Sequence, residues 1–347
     1  MSRRKFLLLV TCYLLPVALF TVYSYTQVDL NLTLSSNPVY QSIQHKLTQL
    51  GYFNRPLSTI IFFFLVLSFT FLYFLVLKLR RNFSINQLWT LLFALCFLLF
   101  ISYPAFAHDI FNYMFDARTV VKYGQNPYFT TPLDFPQDEW TRFMRWTHVG
   151  SVYPPGWLVT TIPFYLLGLG KFTLTLLSFK LLGLASFLGS SWLMLKIAGR
   201  RAWILWSFNP MVLIESLSSV HNEIVMVAFT LLSFWLYRNI GKVRPWHSPR
   251  SDLMKRIGLY FFLIWAGLIK YTSFLLLPFL SNPVLAAVAA WVGSLAFFFV
   301  REINPWYIIL PVAISFMSKN KFLTYLSLAS SIIVMYRYYP CVAIFSC

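Results

Sequence analysis

Residues 104–156 form a long polar stretch between two strongly apolar regions of the chain. The stretch contains HDIFNYMFDARTVVKYGQNPYF (His108–Phe129), PLDFPQDEW (Pro132–Trp140) and YPPGW (Tyr153–Trp157). It carries half of the ten acidic residues of the chain, namely Asp109, Asp116, Asp134, Asp138 and Glu139. Because most of the remaining chain is apolar, a polar loop of this size is where chemistry at an aqueous membrane face would take place.

The composition predicts a membrane protein. The 347 residues are 59% hydrophobic, 20% aromatic and only 11% charged, with a mean hydropathy of +0.67. Apolar runs of about 20 residues recur, which is the length that crosses ~30 Å of hydrocarbon. We therefore expect an all-α, polytopic bundle of about nine to eleven spans. It forms one domain over residues 1–347, made of N-terminal spans (1–103), the polar loop (104–156) and the remaining bundle (157–347).

The net charge is +18. In a soluble protein this charge would indicate nucleic-acid binding. In a membrane protein, Lys and Arg collect in short cytoplasmic loops and can hold anionic lipid heads. Membrane lipids are therefore the predicted partners of these side chains, and no nucleic-acid partner is expected.

Charge counting predicts the sidedness of the first spans. The spans are 6–25, 57–77 and 85–103. Arg3, Arg4 and Lys5 place the N-terminus on the cytoplasmic side. An odd number of crossings then puts Asp109 on the outer face, where we expect the active site.

Residues 157–170 leave two topologies open. If they cross as a span, the basic pair Arg200–Arg201 would lie outside. If they form an interfacial or re-entrant helix, both that pair and the basic stretch 242–256 lie inside. The run has about 14 residues and contains Pro163, which favours the second topology.

The second topology brings SSVHNE (Ser218–Glu223) to the outer face beside Asp109. Residues 202–217 are then predicted to form a short outward helix, and residues 222–240 the returning span. Glu215 lies within the short helix and would need a partner or a cavity there.

Lys270 lies inside the apolar run Ile257–Leu280. A lysine in mid-span costs ~2.5–3.5 kcal/mol on insertion scales. The run should therefore face a cavity at Lys270 or break there. The following span, 284–300, leads to Arg301, Trp306 and Tyr307 on the outer face.

One aqueous face thus collects acids and cations: Asp109, Asp116, His221, Glu223, Arg301 and, where the run breaks, Lys270. A carboxylate can take a proton from a hydroxyl. A cation can stabilise the charge on a departing phosphate. A membrane enzyme that uses a lipid phosphate as substrate needs both groups.

Several short pieces between residues 100 and 310 resemble the GT-C superfamily of integral-membrane glycosyltransferases, in particular its polyprenyl-phosphate-mannose-dependent branch. The pieces are Asp109 with Tyr113, GQNPY (Gly124–Tyr128), YPPG (Tyr153–Gly156), Asn209–Pro210, HNE (His221–Glu223), Lys270–Tyr271 with Pro278, and PWY (Pro305–Tyr307). The chain has Glu223 where many relatives carry Asp, so this acid reaches one methylene further.

The resemblance implies an inverting transfer of a hexose, mannose in this branch, from a polyprenyl-phosphate carrier to an acceptor hydroxyl on a glycan or glycolipid. It implies a role in cell-envelope glycan synthesis at a prokaryotic plasma membrane. Asp109 would be the general base and Glu223 the second candidate catalytic acid. The substrate-binding residues would be Tyr113, Asp116, Tyr128, Tyr153, His221, Asn222, Lys270, Arg301, Trp306 and Tyr307.

Structural explanations stand beside these roles. Asp109 would otherwise be a solvated carboxylate or a helix cap, and Asp116 a partner for Arg118 or Lys122, which we favour for Asp116. Glu223 would favour the N-terminus of its helix electrostatically.

Lys270, Trp306 and Tyr307 also have structural explanations. Lys270 would snorkel to the interface. Trp306 and Tyr307 would form part of an aromatic belt.

No metal or cofactor is predicted. Cys12, Cys96, Cys341 and Cys347 lack a zinc or disulfide spacing. His45, His108, His148 and His247 likewise lack the spacing of metal ligands.

Two other functional classes remain open. A transporter or flippase for a lipid-linked or anionic substrate would explain Lys270 and Glu215, but no inverted repeat is recognised. A membrane scaffold would not need charged groups that converge on one face.

Overall fold

The computed structural model describes residues 3–30, 32, 34–240, 249–298 and 304–337, and no strand occurs among them. This confirms the predicted all-α membrane fold. The α-helices, in chain order, are α1 Arg3–Ser24, α2 Pro38–Thr48, α3 Arg55–Leu79, α4 Ile85–Phe100, α5 Asp109–Tyr123, α6 Pro155–Leu167, α7 Phe172–Ala198, α8 Arg200–Ser207, α9 Pro210–Leu213, α10 Glu223–Asn239, α11 Pro249–Ile269, α12 Pro283–Phe298, α13 Ile309–Ser318 and α14 Lys321–Ile333.

Three stretches of the described residues are long and apolar enough to cross a membrane alone: Phe6–Gln27, Arg55–Leu79 and Phe172–Ala198. A fourth candidate is a bent pair, Pro210–Ser218 with Glu223–Asn239. Shorter apolar helices, of 10–17 residues, are Ile85–Phe100, Pro155–Leu167, Pro283–Ala296, Pro305–Ser318 and Lys321–Ile333. The predicted count of nine to eleven spans would need these short helices to cross, and it stays a prediction.

The polar region 104–156 is not simply a solvated loop. Its first part folds as α5, in which every residue from Ile110 to Thr119 is buried. The helix ends at Gly124, which has a φ of 63°, a left-handed conformation that glycine adopts at little cost. Since α5 packs against α6 and α7, its first residue, Asp109, lies inside the bundle.

Asp138 anchors the rest of this region to α5. Its Oδ2 accepts from Arg118 Nε at 2.5 Å and from the Tyr123 hydroxyl at 2.5 Å, and lies 3.3 Å from Lys122 Nζ. Asp116 instead accepts from the Ser151 hydroxyl at 2.6 Å. The preferred pairing of Asp116 with Arg118 or Lys122 is therefore wrong, because the chain folds back and places Asp138 beside both cations.

The pKa of Asp138 reflects this anchoring. Burial raises the pKa of this carboxyl, but hydrogen bonds from Arg118, Tyr123 and the Trp140 backbone N–H outweigh burial and lower the pKa to about 2. The carboxylate is consequently charged at any physiological pH.

The chain turns between α6 and α7. α6 has 13 residues, or about 20 Å at 1.5 Å per residue, which is too short to cross the hydrocarbon core. α7 has 27 residues and is long enough. These lengths fit the topology in which residues 157–170 do not cross, and the crossing itself stays a prediction.

The predicted single helix over residues 202–217 is broken. α8 ends at Ser207, and the Asn209 side chain accepts from the backbone N–H groups of Met211 and Val212 to start a new helix. Pro210 lacks the N–H that a continuous helix would require. The chain then forms a π-helical turn over Ile214–Ser218, which carries Glu215 toward the site.

Candidate active site

Asp109 is the first residue of α5 and has 21% of its side chain exposed. Its Oδ2 lies 3.4 Å from His221 Nδ1, and its carboxylate is hydrogen-bonded to the Tyr153 side chain. The sequence predicted that Asp109 and His221 lie on one face, and the resemblance added Tyr153 to the substrate-binding residues. A carboxylate that is both enclosed and reachable has the properties that a general base requires.

The environment of Asp109 raises its pKa to about 6. Burial is the largest cause, and the Glu223 carboxylate adds to the rise by like-charge repulsion. The Lys270 charge and the Tyr153 hydrogen bond act in the opposite direction. Asp109 is therefore ionised at neutral pH yet far more basic than an ordinary aspartate, whose pKa is about 3.9.

His221 lies in the break of the bent pair, where the axes of Pro210–Ser218 and α10 differ by 112°. The preceding residue, Val220, has a φ of 57°, a left-handed conformation that is rare for a β-branched side chain. Such strained residues cluster at functional sites.

α7 approaches this break closely at Gly183. A Cβ placed there would lie 2.7 Å from Val220 Cγ1 and 2.8 Å from the Ser216 carbonyl oxygen. The missing side chain of Gly183 therefore lets the backbone that carries His221 rest directly on α7.

The His221 side chain is held on three sides. Its ring stacks on Trp306 with centroids 4.1 Å apart and planes at 18°. Its Nε2 lies 3.1 Å from Oε2 of the fully buried Glu215. Its Nδ1 faces Asp109, so the imidazole bridges two carboxylates. Glu215 thereby has the partner that its place in the sequence required.

Lys270 forms an ion pair with Glu223, the first residue of α10. Its Nζ also lies 4.7 Å from the centroid of the Tyr307 ring. Of the two alternatives predicted for Lys270, a cavity or a break in the run 257–280, the structure has the break, since α11 ends at Ile269 and a 3₁₀ helix follows over Tyr271–Phe279. The break lets Lys270 reach the site instead of remaining in lipid.

Gly156 of the YPPG motif permits a second close approach. A Cβ at this position would lie 2.8 Å from the Leu268 backbone, two residues before Lys270. The motif therefore brings the start of α6, with Tyr153 beside it, against the end of α11.

Tyr113 closes the site from inside α5. Its ring packs edge-on against Tyr153 at 4.6 Å and against Trp157 at 4.8 Å. Tyr113 is also hydrogen-bonded to the Asn222 backbone. These contacts hold the α5, α6 and α10 ends together around Asp109.

Most of the predicted site residues therefore meet: Asp109, Tyr113, Tyr153, His221, Asn222, Glu223, Lys270, Trp306 and Tyr307. Asp116 and Tyr128 lie in an outer layer, where Asp116 accepts from Ser151 and the Tyr128 hydroxyl donates to the Tyr153 carbonyl at 2.8 Å. Burial raises the pKa of Asp116 to about 7 despite the Ser151 hydrogen bond. Arg301 falls outside the described residues.

Lys180 was not singled out in the sequence. It is buried in α7, and its Nζ donates to the carbonyls of Ser102 at 2.7 Å and Ser218 at 3.3 Å. Ser102 precedes Asp109 and Ser218 precedes His221, so one ammonium group ties together the segments that carry both residues. A lysine within an otherwise apolar run was the available signal.

Within the described part of the chain, no group of three His, Cys, Asp or Glu side chains is placed to hold a metal ion. The prediction that the site uses none stays a prediction.

The comparison with protein families gives one match, to the model described as "Alpha-(1->6)-mannopyranosyltransferase, N-terminal domain", over residues 19–298. No curated protein and no solved structure matches the chain. The family match includes both Asp109 and the segment with His221, Glu223 and Lys270. Because it covers well over half of the sequence, the chain belongs to the alpha-(1→6)-mannopyranosyltransferase family, whose members are GT-C type mannosyltransferases.

Proposed function

We propose that the protein transfers mannose from a polyprenyl-phosphate carrier to a hydroxyl of a glycan or glycolipid on the outer face of the membrane, with inversion at the anomeric carbon. The observation that carries this proposal is Asp109: a partly exposed carboxylate with a raised pKa, flanked by His221 and by the Lys270–Glu223 pair.

In this proposal Asp109 removes the proton of the acceptor hydroxyl. The acceptor oxygen forms a bond to the anomeric carbon while the bond from that carbon to the carrier phosphate breaks on the opposite face. A pKa of about 6 suits this task, because the base is ionised at neutral pH and still binds a proton well.

In this proposal Lys270 is the cation that meets the carrier phosphate. In this structure its charge is balanced by Glu223, and its Nζ faces the Tyr307 ring. A phosphate that reaches Lys270 would compete with Glu223 for the ammonium group. Glu223 could then turn toward a sugar hydroxyl, which agrees with the implied place of Glu223 beside the sugar.

The test is transfer of radiolabelled mannose from polyprenyl-phosphate-mannose to a lipid extract by the purified protein. We expect transfer by the wild type and a loss of roughly 10²–10⁴-fold in Asp109→Asn, the usual contribution of a general base. Asp134→Asn is the matched control, because Asp134 is exposed and caps a short turn through Thr131. Equal transfer by Asp109→Asn and the wild type would move the base to Asp116 or Glu223.

A further inference from the structure

Asp109, His221 and Glu215 form a line of contacts that runs inward from the site. We propose that it is a proton relay in which Glu215 fixes the imidazole of His221 so that Nδ1 receives, through Asp109, the proton of the acceptor hydroxyl. The inference rests on the proposed function, in which Asp109 is the base.

The first argument is the order of the three groups. His221 Nδ1 lies 3.4 Å from Asp109 Oδ2, and its Nε2 lies 3.1 Å from Glu215 Oε2 on the far side of the ring. Exposure decreases inward, from 21% of the Asp109 side chain to 1% for His221 and none for Glu215. The acceptor can therefore reach only the Asp109 end.

The second argument is the hydrogen-bonding capacity of the ring. A neutral imidazole has one N–H donor and one acceptor nitrogen. A carboxylate faces each ring nitrogen, and Glu215 Oε2 lies nearer to Nε2, at 3.1 Å, than Asp109 Oδ2 lies to Nδ1, at 3.4 Å, so we assign the proton to Nε2. Nδ1 then presents a lone pair to Asp109. This lone pair makes the ionised Asp109 carboxylate a stronger base, and it can accept the proton that Asp109 takes from the acceptor hydroxyl.

The third argument is that the imidazole is held rigidly. The His221 ring stacks on Trp306, and its backbone N–H donates to the Glu215 carbonyl at 3.0 Å. The strained φ of Val220 fixes the turn between Glu215 and His221. Neither ring nitrogen makes an aligned hydrogen bond among the described residues, and such contacts commonly tighten when substrate binds.

The relay balances in protons and charge. The acceptor O–H bond breaks as an Asp109 O–H bond forms, and that bond then breaks as Nδ1–H forms. Burial and the Lys270 charge lower the pKa of His221 well below its usual value, so the imidazolium formed between the Asp109 and Glu215 carboxylates is short-lived and gives its proton back to Asp109. Glu223, Lys270 and Tyr153 also face Asp109. The opposite charges of Lys270 and Glu223 cancel, so this ion pair adds almost no net charge beside Asp109. After the product leaves, the proton returns through Asp109 to water.

The first experiment does not depend on activity. Nitrogen-15 NMR of the full-length protein in lipid nanodiscs, labelled at its five histidines, reports which ring nitrogen carries the proton. The His221 signals are those lost in His221→Asn. We expect Nε2 protonated and Nδ1 bare at pH 8. A proton on Nδ1 with a bare Nε2 would overturn the relay, whatever the enzyme transfers.

The second experiment separates positioning from folding. Glu215→Gln keeps the shape but removes the charge that stabilises the imidazolium. We expect kcat to fall at least tenfold while KM for the lipid-linked donor changes less than twofold. Ser216→Ala, a buried neighbour on the same turn, is the matched control and should retain activity.

The outcomes remain separable from those of the proposed function. A wild-type kcat in Glu215→Gln would refute the relay and leave mannosyl transfer standing. An absence of transfer by the wild type with any polyprenyl-phosphate sugar would refute the proposed function, whereas the NMR experiment would still decide the tautomer of His221.

Discussion

At the scale of single residues, the site consists of charged side chains that are buried and lie beside groups of opposite charge. Asp109 would be an ordinary aspartate in water. Inside the bundle, burial and the neighbouring Glu223 raise its pKa, while Lys270 and Tyr153 keep the rise moderate. The result is a carboxylate whose protonation changes near a pH of about 6.

The raised pKa of Asp109 predicts the pH dependence of transfer. Because the base must be ionised, kcat/KM should be flat above pH 7 and fall about tenfold per unit below a pH of about 6. The Glu223→Gln variant removes the negative charge that repels the Asp109 carboxylate and leaves the positive charge of Lys270 unbalanced. Both changes lower the pKa of Asp109, so kcat/KM of the variant should have its inflection at a lower pH than the wild type. An inflection near pH 4 in the wild type would contradict the enclosed environment of Asp109.

At the scale of elements, the site depends on how closely helices approach one another. The backbone of residues 216–220 touches α7 only because Gly183 has no side chain. α7 also supplies Lys180, which joins the Ser102 and Ser218 carbonyls. One helix thus fixes the distance between the segment that carries Asp109 and the segment that carries His221.

Gly183→Ala should therefore lower mannosyl transfer more than it lowers stability. The added methyl meets the Ser216 carbonyl at 2.8 Å and must displace the segment that holds His221. We expect at least a tenfold loss of kcat/KM, since misplacement of about 1 Å can cost ~10²-fold.

Gly189→Ala is the matched control for this glycine. Gly189 lies on the same helix, and no atom lies within 4 Å of the methyl group that alanine would add. Alanine is more favourable than glycine within a helix by up to ~1 kcal/mol. Equal activities of the two variants would show that the close contact at Gly183 is unimportant.

Asp138 is the corresponding anchor for the polar region. Asp138→Asn should destabilise the protein by ~3–5 kcal/mol, as expected when one partner of a buried ion pair is removed and Arg118 stays buried. Thermal unfolding in detergent at pH 7, with the exposed Asp134→Asn beside it, measures the difference.

The pH dependence of this anchor follows from its lowered pKa. Its contribution is complete above the unfolded pKa of about 3.9 and is lost as the pH falls toward about 2. Equal melting temperatures of Asp138→Asn and Asp134→Asn would refute the anchoring role.

At the scale of the whole molecule, the proposed function requires Asp109 to face the outer side of the membrane. A cysteine at position 148, exposed in the polar region, should react with an impermeant maleimide in intact cells. Position 148 is preferable to 150, where a new side chain would meet the Pro127 carbonyl at 2.8 Å. The four native cysteines are first replaced by serine or alanine.

Arg81→Cys places a cysteine on the opposite side of the membrane for this test. Arg81 is exposed in the turn between α3 and α4, which charge counting places in the cytoplasm. It should react only after the membrane is permeabilised. Reaction of Arg81→Cys in intact cells, or protection of position 148, would reverse the predicted orientation.

The sequence by itself determined the helical membrane fold, the mannosyltransferase family and the pieces of the site. Apolar runs of spanning length are a local property, and so is the cost of Lys270 in lipid, which predicted either a cavity or a break at this residue. Asp109, His221, Glu223 and Lys270 could be chosen because charged groups are rare in such a chain.

Only the tertiary structure decided which of these groups meet. Arg118 pairs with Asp138 rather than with Asp116 across 20 positions of the chain, and Lys270 pairs with Glu223 across 47. Glu215 meets His221 across a tight turn. Such contacts depend on the path of the backbone between the residues. The path from Glu215 to His221 includes the left-handed turn at Val220, and the path from Glu223 to Lys270 includes the end of α11 at Ile269.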